Sequence, residues 1–332
     1  MARITFYEVE PWMEIYLKEK LSKHTLSFVA HPLSDKTVSH AKKADIIAVF
    51  IYSKLDKNLM CELPNVQMIA TTSTGYDHID QKVIDTTTIC NVPDYGQNTV
   101  AEHTFGLLLA IARKLITAEH KAHKGNVIHS QLTGIDLKDK TIGVIGTGNI
   151  GSHVIKIAHG FGMNILAYDK YKNPKLTKQY GVSYVPLKQL LKKSDVITLH
   201  APLLPSTKYI INMDNIQDIK PGAILINTAR GGLIETKALW TALNKKILSG
   251  AGLDVFEEEC LFTKRQQNLH KKYPRLCSKR LLGLQHKIMK LANVVVTPHN
   301  AFNTKAALKR ILDTTVENIT AFLNNKPKNI IS

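Results

Sequence analysis

Residues 140–151 read KTIGVIGTGNIG, and this stretch decides the fold of the chain. An apolar, β-branched run leads into three glycines with G-x-G-x-x-G spacing, and a helical pattern follows over residues 153–161. Gly146 permits a tight bend, Gly148 lets backbone N–H groups approach an anion, and Gly151 allows the helix to pack closely on the strand. The stretch therefore predicts a strand, a phosphate-binding turn and a helix whose N-terminus faces the anion.

An acidic residue ends the next predicted strand. The run NILAYD finishes at Asp169, where a carboxylate is placed to accept hydrogen bonds from both ribose hydroxyls of an adenosine. Together with the glycine turn, and with Asn149 and Ile150 at the start of the helix, it predicts a dinucleotide site. The carboxylate repels a 2′-phosphate and so favours NAD over NADP, although the nearby Lys170 and Lys172 could soften that preference.

Short β-branched runs alternate with helical patterns along most of the chain, which is typical of βαβ units. The fold class predicted is α/β with two doubly wound parallel sheets. The expected strands are residues 3–7, 44–50 and 66–70 in a first sheet, and residues 141–145, 164–168, 196–200, 223–227, 250–255 and 294–297 in a second. A helix should begin near Val100, because Thr99 and Glu102 have capping-box spacing, and should continue toward Lys124.

Composition narrows the class of protein. The 332 residues allow about two domains. A count of 44 Lys+Arg against 27 Asp+Glu gives a net charge of +17. This charge predicts attraction to anions, but it does not distinguish nucleic acid, membranes and small ligands as partners. Nine of the Lys and Arg residues, and no Asp or Glu, lie in residues 260–292. The four separated cysteines indicate neither a disulfide framework nor a metal site. With no apolar signal and no span of about 20 apolar residues, we expect a cytoplasmic protein that does not enter membranes.

Ligands bind outside the carboxyl ends of the strands in an open parallel sheet. Arg230 follows one predicted strand, and its planar fork suits a substrate carboxylate. Oxidation of a hydroxyl carbon releases a proton, and His299 is a suitable base because an imidazole titrates near neutral pH. A carboxylate would orient that ring, and three candidates follow another strand: Glu257, Glu258 and Glu259.

Five segments carry a family resemblance: TIGVIGTGNIG, LHAPLLPST, INTARGG, GLDVFEEE and VVVTPH. In this order and spacing they resemble the D-2-hydroxyacid dehydrogenases across nearly the whole chain. The resemblance implies Arg230 as the binder of the substrate carboxylate and carbonyl, Glu259 as the partner of the base, and His299 as general acid/base. The cofactor residues expected beyond the glycine turn and Asp169 are His200, Pro202, Asn227, Thr228, Ala229 and Asp254.

The resemblance also implies a domain organisation. A discontinuous, flavodoxin-like substrate domain would comprise residues 1–98 and 299–332, and a Rossmann NAD-binding domain residues 99–298, with the active site in the cleft. The loop Ser73-Thr74-Gly75 would offer backbone N–H groups to the substrate carboxylate. The helix over residues 100–114 would belong to a homodimer interface.

The segments NVPDYGQNTVAEH and TPHNAF resemble the D-lactate dehydrogenase branch, in which Tyr95 and Phe302 would line a small apolar pocket. The predicted reaction interconverts pyruvate and D-lactate, with 2-oxobutyrate, hydroxypyruvate and glyoxylate left open as substrates. An alternative is an NAD(H)-responsive regulator on the same scaffold, similar to the C-terminal-binding co-repressors. Nucleic acid is not expected as a partner, because no base-reading motif accompanies the lysines. The basic residues 260–292 depart from the branch, where this segment is acidic or mixed.

Overall fold

The computed structural model describes residues 1–125, 127–258 and 278–331. The chain forms two compact units, Met1–Tyr95 with Asn303–Ser332, and Gly96–Phe302. The domain ranges expected from the sequence stay a prediction, because compactness does not test whether each range folds independently.

Eleven helices lie within the described ranges: α1 (Pro11–Lys20), α2 (Lys57–Cys61), α3 (Gln81–Ile84), α4 (Gln97–Ala112), α5 (Leu115–His123), α6 (Asn149–Gly160), α7 (Pro174–Tyr180), α8 (Leu187–Lys193), α9 (Thr236–Asn244), α10 (Lys279–Met289) and α11 (Lys305–Leu323). The strands of the same ranges are β1 (Arg3–Tyr7), β2 (Thr25–Val29), β3 (Ile46–Val49), β4 (Met68–Thr71), β5 (Thr88–Cys90), β6 (Thr141–Ile145), β7 (Asn164–Tyr168), β8 (Ser183–Tyr184), β9 (Val196–Leu199), β10 (Ala223–Asn227), β11 (Leu248–Leu253) and β12 (Val294–Val296).

The first unit is built on a five-stranded sheet with the order β2-β1-β3-β4-β5. Its strand pairings are parallel, and this order is that of flavodoxin-like folds. The central strands β3 and β4 are buried at every position, as expected for strands covered on both faces. From α11, Leu312 and Ile319 join Phe6 and Leu17 in one of the two core clusters of the unit.

The second unit is built on a seven-stranded sheet with the order β12-β11-β10-β9-β6-β7-β8. Every pairing between these strands is parallel. The order reverses between β6 and β9, which is the doubly wound arrangement with a switch point after β6. The predicted class, two α/β domains with parallel sheets, is confirmed.

The predicted strands all exist, with some ends shifted by up to two residues, and three others were missed. Strand β2, with the sequence TLSFV, exposes alternate residues at the edge of its sheet. The other two, β5 and β8, have three and two residues. Such short or half-exposed strands lack the continuous apolar run that marks a buried parallel strand.

Helix α4 begins earlier than predicted. Its N-cap is Gly96, which provides no side-chain cap, and Thr99 is buried within the first turn. The expected capping box at Thr99 is therefore wrong. The helix also ends before Lys124, because Lys114 adopts a left-handed conformation with φ of 51° and α5 restarts at Leu115.

The basic segment is described only over its last part, residues 278–292, and the remainder lies outside the described residues. Ser278 caps α10 by accepting a hydrogen bond from the N–H of Leu281. Within the same helix, the Lys287 ammonium lies over the ring of Trp240 at 5.7 Å. None of the helices in the described ranges combines the length and the apolar character that crossing a bilayer requires.

Candidate active site

The glycine turn after β6 has the geometry that a dinucleotide requires. Gly146 has a φ of 92°, and a Cβ on it would lie 2.6 Å from the backbone nitrogen of Ala201. A Cβ on Gly151 would lie 2.0 Å from the carbonyl oxygen of Gly146. By contrast, a Cβ on Gly148 would project into open space among the described residues. Two glycines thus allow close packing, and the third leaves room for a ligand beside the backbone.

Helix α6 begins directly after this turn, at Asn149, and its N-cap Gly148 supplies no side-chain oxygen to the first turn. Backbone N–H groups at such a terminus need an external acceptor. They are thereby suited to a pyrophosphate, which the helix dipole also favours. Asn149 is exposed, whereas Ile150 packs partly against the core.

Asp169 follows β7 at the same edge of the sheet. Its Oδ2 accepts from the backbone N–H of Thr147 at 2.6 Å and from the Thr147 hydroxyl at 3.0 Å. Its Oδ1 accepts from the N–H of Tyr171 at 2.9 Å. The turn, the uncapped helix and this carboxylate together fit NAD: the N–H groups would hold the pyrophosphate, and Asp169 would hold a ribose.

His200 follows β9, across the switch point from the glycine turn. Its Nε2 lies 2.8 Å from the hydroxyl of Thr198, and its buried Nδ1 has no hydrogen-bond partner within the described parts of the chain. Burial lowers the pKa of His200 to about 3, so the imidazole is neutral near pH 7. The neighbouring Pro202 is exposed.

The turn after β10 is fixed by Asn227, whose side chain accepts from the N–H of Ala229 at 3.0 Å and donates to the carbonyl of Arg230 at 2.9 Å. The hydroxyl of Thr228 lies 2.9 Å from that of Thr104 on α4. The Arg230 guanidinium is half-buried and donates through Nη1 to the carbonyl of Ala229 at 2.8 Å. The turn thereby holds an arginine at the carboxyl edge of the sheet.

Asp254 follows β11, and its side chain is fully buried. Its carboxylate accepts from the backbone N–H groups of Asn300 at 2.7 Å and Ala301 at 2.9 Å, and from the hydroxyl of Thr297. Burial alone would raise the pKa of Asp254. The nearby imidazole of His103, 3.5 Å away, and the hydrogen bonds from Thr297 and the two N–H groups outweigh burial and lower the pKa. The carboxylate is therefore ionised and organises the loop after β12.

His299 lies in that loop, with a left-handed backbone whose φ is 51°. Its N–H donates to the carbonyl of Asp254 at 2.8 Å. A non-glycine residue in this region carries strain unless its surroundings hold it, and such residues cluster at functional sites. Asp254 supplies that restraint through both its carbonyl and its carboxylate.

The three glutamates after Asp254 differ in their surroundings. Glu257 accepts hydrogen bonds from the hydroxyls of Tyr209 and Thr236. The hydrogen bond from Tyr209 to Glu257 raises the pKa of Tyr209 to about 12. Glu258 is exposed and accepts from the N–H of Ser278 at 2.8 Å. Glu259, the partner of the base implied by the resemblance, lies outside the described residues.

Four of the predicted substrate residues belong to the first unit. Ser73 donates to the carbonyl of Gly75 at 2.7 Å, and Thr74 donates to the carbonyl of Val92 at 2.7 Å, so the loop after β4 is held by its own hydroxyls. The carbonyl of Tyr95 accepts from Nε of Arg310 at 2.6 Å. Phe302, another predicted substrate residue, is half-buried and belongs to the second unit. Their contacts with substrate stay a prediction.

In the second unit, one sheet edge brings together the predicted residues that follow its strands: Gly146, Gly148, Asp169, His200, Arg230, Asp254 and His299. Sequence reasoning missed His103 on α4, whose Nε2 lies 2.9 Å from the Thr297 hydroxyl. Because Thr297 donates its single proton to Asp254, His103 is the donor to Thr297. Neither its spacing nor its residue type signals this role.

The chain is similar to known proteins along most of its length. Residues 105–301 match the family model for the D-isomer specific 2-hydroxyacid dehydrogenase NAD binding domain. The D-lactate dehydrogenase kk1H of Curvularia clavata is 36% identical over 309 residues, which cover 91% of this chain and 85% of the relative. The glyoxylate reductase of Thermococcus litoralis is 32% identical over 340 residues, covering 98% and 91%.

Among solved structures, the D-lactate dehydrogenase of Aquifex aeolicus complexed with NAD and lactic acid superposes with a TM-score of 0.87. It is 36% identical, and the match covers 97% of this chain and 96% of that one. These matches agree with the turn, the carboxylate and the histidine found at the edge of the second sheet. The chain therefore belongs to the D-isomer specific 2-hydroxyacid dehydrogenases and is an NAD-dependent oxidoreductase that acts on the CH–OH group of 2-hydroxy acids.

Proposed function

We propose that the chain is a D-lactate dehydrogenase that interconverts pyruvate and D-lactate, with His299 as general acid/base. The main support is the arrangement at one sheet edge, where Arg230 follows β10, Asp254 follows β11 and His299 follows β12. A cation with a planar fork and a titratable ring, at the same sheet edge as a dinucleotide turn, suit the reduction of a small 2-oxo acid.

His299 is the proposed donor and acceptor of the proton. In the direction of pyruvate reduction, its imidazolium donates a proton to the carbonyl oxygen of the substrate. When bound, NADH supplies a hydride to the adjacent carbon, and the alcohol of D-lactate results. In the reverse direction the neutral imidazole takes the hydroxyl proton. The fixed backbone of His299 limits the positions that the ring can reach, which favours one geometry for this transfer.

Arg230 holds the substrate. Its guanidinium binds the carboxylate and polarises the carbonyl through parallel N–H groups, which orient a 2-oxo acid better than a point charge would. The neighbouring hydrogen bonds of Asn227 restrict the backbone of this turn. Glu259 is proposed as the partner that orients the His299 ring and favours its charged form.

The choice of pyruvate has two supports. The first is the resemblance of NVPDYGQNTVAEH and TPHNAF to the D-lactate dehydrogenase branch, which implies Tyr95 and Phe302 as the residues that contact the substrate methyl group. The D-lactate dehydrogenase of Curvularia clavata and the Aquifex aeolicus enzyme complexed with lactic acid share 36% of their residues with the matched parts of this chain. The match to a glyoxylate reductase, at 32%, makes glyoxylate the first alternative substrate.

A substrate panel tests the proposal. The purified protein is mixed with NADH and, separately, with pyruvate, 2-oxobutyrate, hydroxypyruvate or glyoxylate, and the loss of NADH absorbance is followed. The proposal expects the highest kcat/KM with pyruvate. A higher kcat/KM with another of these acids would retain the chemistry and replace the substrate, whereas no turnover with any of them would reject both.

A second copy of the chain is the proposed partner. The interface expected from the sequence is the helix over residues 100–114, and we extend it to the chain that follows. Helix α4 buries Ala101, Phe105 and Leu108 within its own unit. Five large apolar residues after α4 are exposed: Leu115, Ile116, Val127, Ile128 and Ile135. Exposed apolar residues in this number suit an interaction site. Ile116→Glu should convert a dimer to monomer in light scattering, whereas Ile15→Glu, at an exposed position of α1, should not.

The proposed compartment is the cytoplasm. Cys61 is exposed, Cys90 is buried, and both are free thiols, which suits a reducing environment. Fractionation of cells that express the chain, with antibody detection, would test this location. Recovery of the protein outside the cytoplasmic fraction would contradict it.

A further inference from the structure

A chain of hydroxyl groups leads from α7 to the carboxylate of Asp169. The backbone N–H of Asn173 donates to the hydroxyl oxygen of Tyr184 at 3.0 Å. The Tyr184 hydroxyl donates to Oγ1 of Thr147 at 3.1 Å. The Thr147 hydroxyl in turn donates to Oδ2 of Asp169 at 3.0 Å.

The chemistry of its two ends sets the direction of this chain. A backbone N–H can only donate, and an ionised carboxylate can only accept. The Tyr184 proton must therefore point to Thr147, and the Thr147 proton must point to Asp169. Hydrogen bonds aligned in one direction polarise one another and strengthen the last bond.

This series of hydrogen bonds connects Asp169 to structural elements that are otherwise separate. Thr147 is buried and lies between Gly146 and Gly148 of the cofactor turn. Tyr184 lies in the edge strand β8, and its ring packs against the core. Asn173 caps α7, because its side chain accepts from the N–H of Lys175. The position of Asp169 is thus tied to a strand and a helix, as well as to the turn.

The acceptor capacity of Asp169 is divided unequally. Oδ2 accepts from two donors, both on Thr147, whereas Oδ1 accepts from one, the N–H of Tyr171. Each carboxylate oxygen has about two lone-pair sites. Oδ1 therefore keeps a site for a ribose hydroxyl, provided that the carboxylate is held from its other side.

We infer that Tyr184 is a positioning residue for cofactor selection, acting through Thr147 on Asp169. Its hydroxyl holds the carboxylate in the orientation that accepts a ribose hydroxyl of NAD and opposes a 2′-phosphate. This inference rests on the proposed role of Asp169 at the ribose. It assigns a function in NAD binding to β8, a two-residue strand outside the sequence motif.

The first test is Tyr184→Phe, which keeps the ring and removes the proton donor. The dissociation constants of NADH and NADPH are measured by quenching of protein fluorescence, in the absence of substrate. The constant for NADH should rise by about three- to ten-fold, the range for loss of one hydrogen bond. The constant for NADPH should stay unchanged or fall, since a released carboxylate can turn away from a 2′-phosphate. Tyr180→Phe is the matched control, because that ring packs edge-on against His159 and should leave both constants unchanged.

The second test removes the hydrogen bond from the Thr147 hydroxyl to Asp169. Thr147→Val removes the hydroxyl with little change of volume, and Thr147→Ser retains it. The valine variant should show the same loss of NADH affinity, and the serine variant should bind NADH as the parent does. In the double variant Tyr184→Phe/Thr147→Val, the loss should equal that of Thr147→Val alone, because both residues act through one chain.

Asp169→Asn distinguishes failure of the Asp169 role at the ribose from failure of the Tyr184 positioning role. If this variant binds NADH as the parent does, the role of Asp169 at the ribose fails, and the inference that rests on it fails too. If Asp169→Asn weakens NADH binding while Tyr184→Phe and Thr147→Val do not, only the role of Tyr184 is overturned. Independent, additive losses in the double variant would also overturn it. Melting temperatures identify any variant that fails to fold, and the serine and valine pair at Thr147 then decides.

Discussion

The backbone N–H of His299 donates to the carbonyl oxygen of Asp254 at 2.8 Å. The two residues come from the ends of adjacent parallel strands, β12 and β11. The carboxylate of Asp254 also accepts hydrogen bonds from the N–H groups of Asn300 and Ala301, so one buried residue fixes three consecutive peptide groups. Movement of the backbone that carries the proposed acid/base group would therefore leave a buried charge without its hydrogen-bond donors, which is costly.

Replacement of His299 tests its role in proton transfer. We expect His299→Ala to lower kcat for pyruvate by about 10²- to 10⁴-fold, the usual contribution of a general acid. NADH binding should be retained, because the glycine turn and Asp169 are unchanged. Steady-state kinetics and a fluorescence titration measure the two properties. A His299→Ala protein with parental kcat would reject the assignment.

Arg230→Lys tests substrate binding, since it keeps the positive charge and removes the planar fork. The KM for pyruvate should rise by about 10- to 100-fold, the effect of losing a charged hydrogen bond. The dissociation constant of NADH should not change. An unchanged KM for pyruvate would show that Arg230 does not hold the carboxylate.

Two glutamate variants distinguish a partner of the base from a structural residue. Glu259→Gln should move the acidic limb of the pH profile for D-lactate oxidation to lower pH, because a carboxylate favours the imidazolium form of the base. Glu257→Gln should leave that limb in place and lower the melting temperature, because Glu257 accepts from Tyr209 and Thr236. The opposite pattern would exchange the two assignments.

Gly231→Ala tests how closely the Arg230 turn packs on the segment that follows β11. A Cβ at Gly231 would lie 1.9 Å from the carbonyl carbon of Phe256, so the backbone must shift. We expect a loss of about 3 kcal/mol or more in the free energy of unfolding. The control is Gly283→Ala on α10, where a Cβ would meet no described atom within 4 Å apart from its chain neighbours and the backbone of its own helix. That change should stabilise by about 0.5–1 kcal/mol. Equal effects in urea unfolding would contradict the packing argument.

His200 makes stability depend on pH. Burial lowers its pKa to about 3 in the folded protein, whereas an unfolded histidine titrates near about 6.5. Between these values the unfolded chain binds a proton that the folded chain does not, so stability falls as the pH drops from about 6.5 toward 3. Between pH 7 and 5, the loss should be about 1–2 kcal/mol larger for the parent than for His200→Gln.

Urea unfolding of the protein without cofactor measures this difference. The exposed residue His129 offers the matched control, and His129→Gln should retain the pH dependence of the parent. If the parent and His200→Gln lose stability equally between pH 7 and 5, then His200 is protonated in the folded state.

Sequence reasoning worked where a local pattern decides the structure. The β6 run, the glycine turn and the carboxyl ends of β9 to β12 follow from apolar runs and glycine spacing. They place Arg230 and His299 at the carboxyl edge of the second sheet, where the structure also has them. It failed at α4, because Thr99 and Glu102 match a capping box while tertiary packing buries Thr99 and starts the helix at Gln97. Tertiary contacts override a weak local signal.

The supporting residues could not be found in this way. His103 and Thr297 are 194 positions apart, as are many unrelated pairs, and only the folded chain brings them together at 2.9 Å. The same holds for Thr147 and Tyr184, which are 37 positions apart. Long-range hydrogen bonds between ordinary polar residues leave no periodicity in a sequence.

The discontinuous first unit has a consequence for synthesis on the ribosome. Its core cluster contains Phe6 and Leu17 from the start of the chain, and Leu312 and Ile319 from α11. All of residues 96–302 are translated before α11 leaves the exit tunnel. The second unit can therefore close while the apolar face around Phe6 is still uncovered, and during that interval the nascent chain presents a binding surface to chaperones.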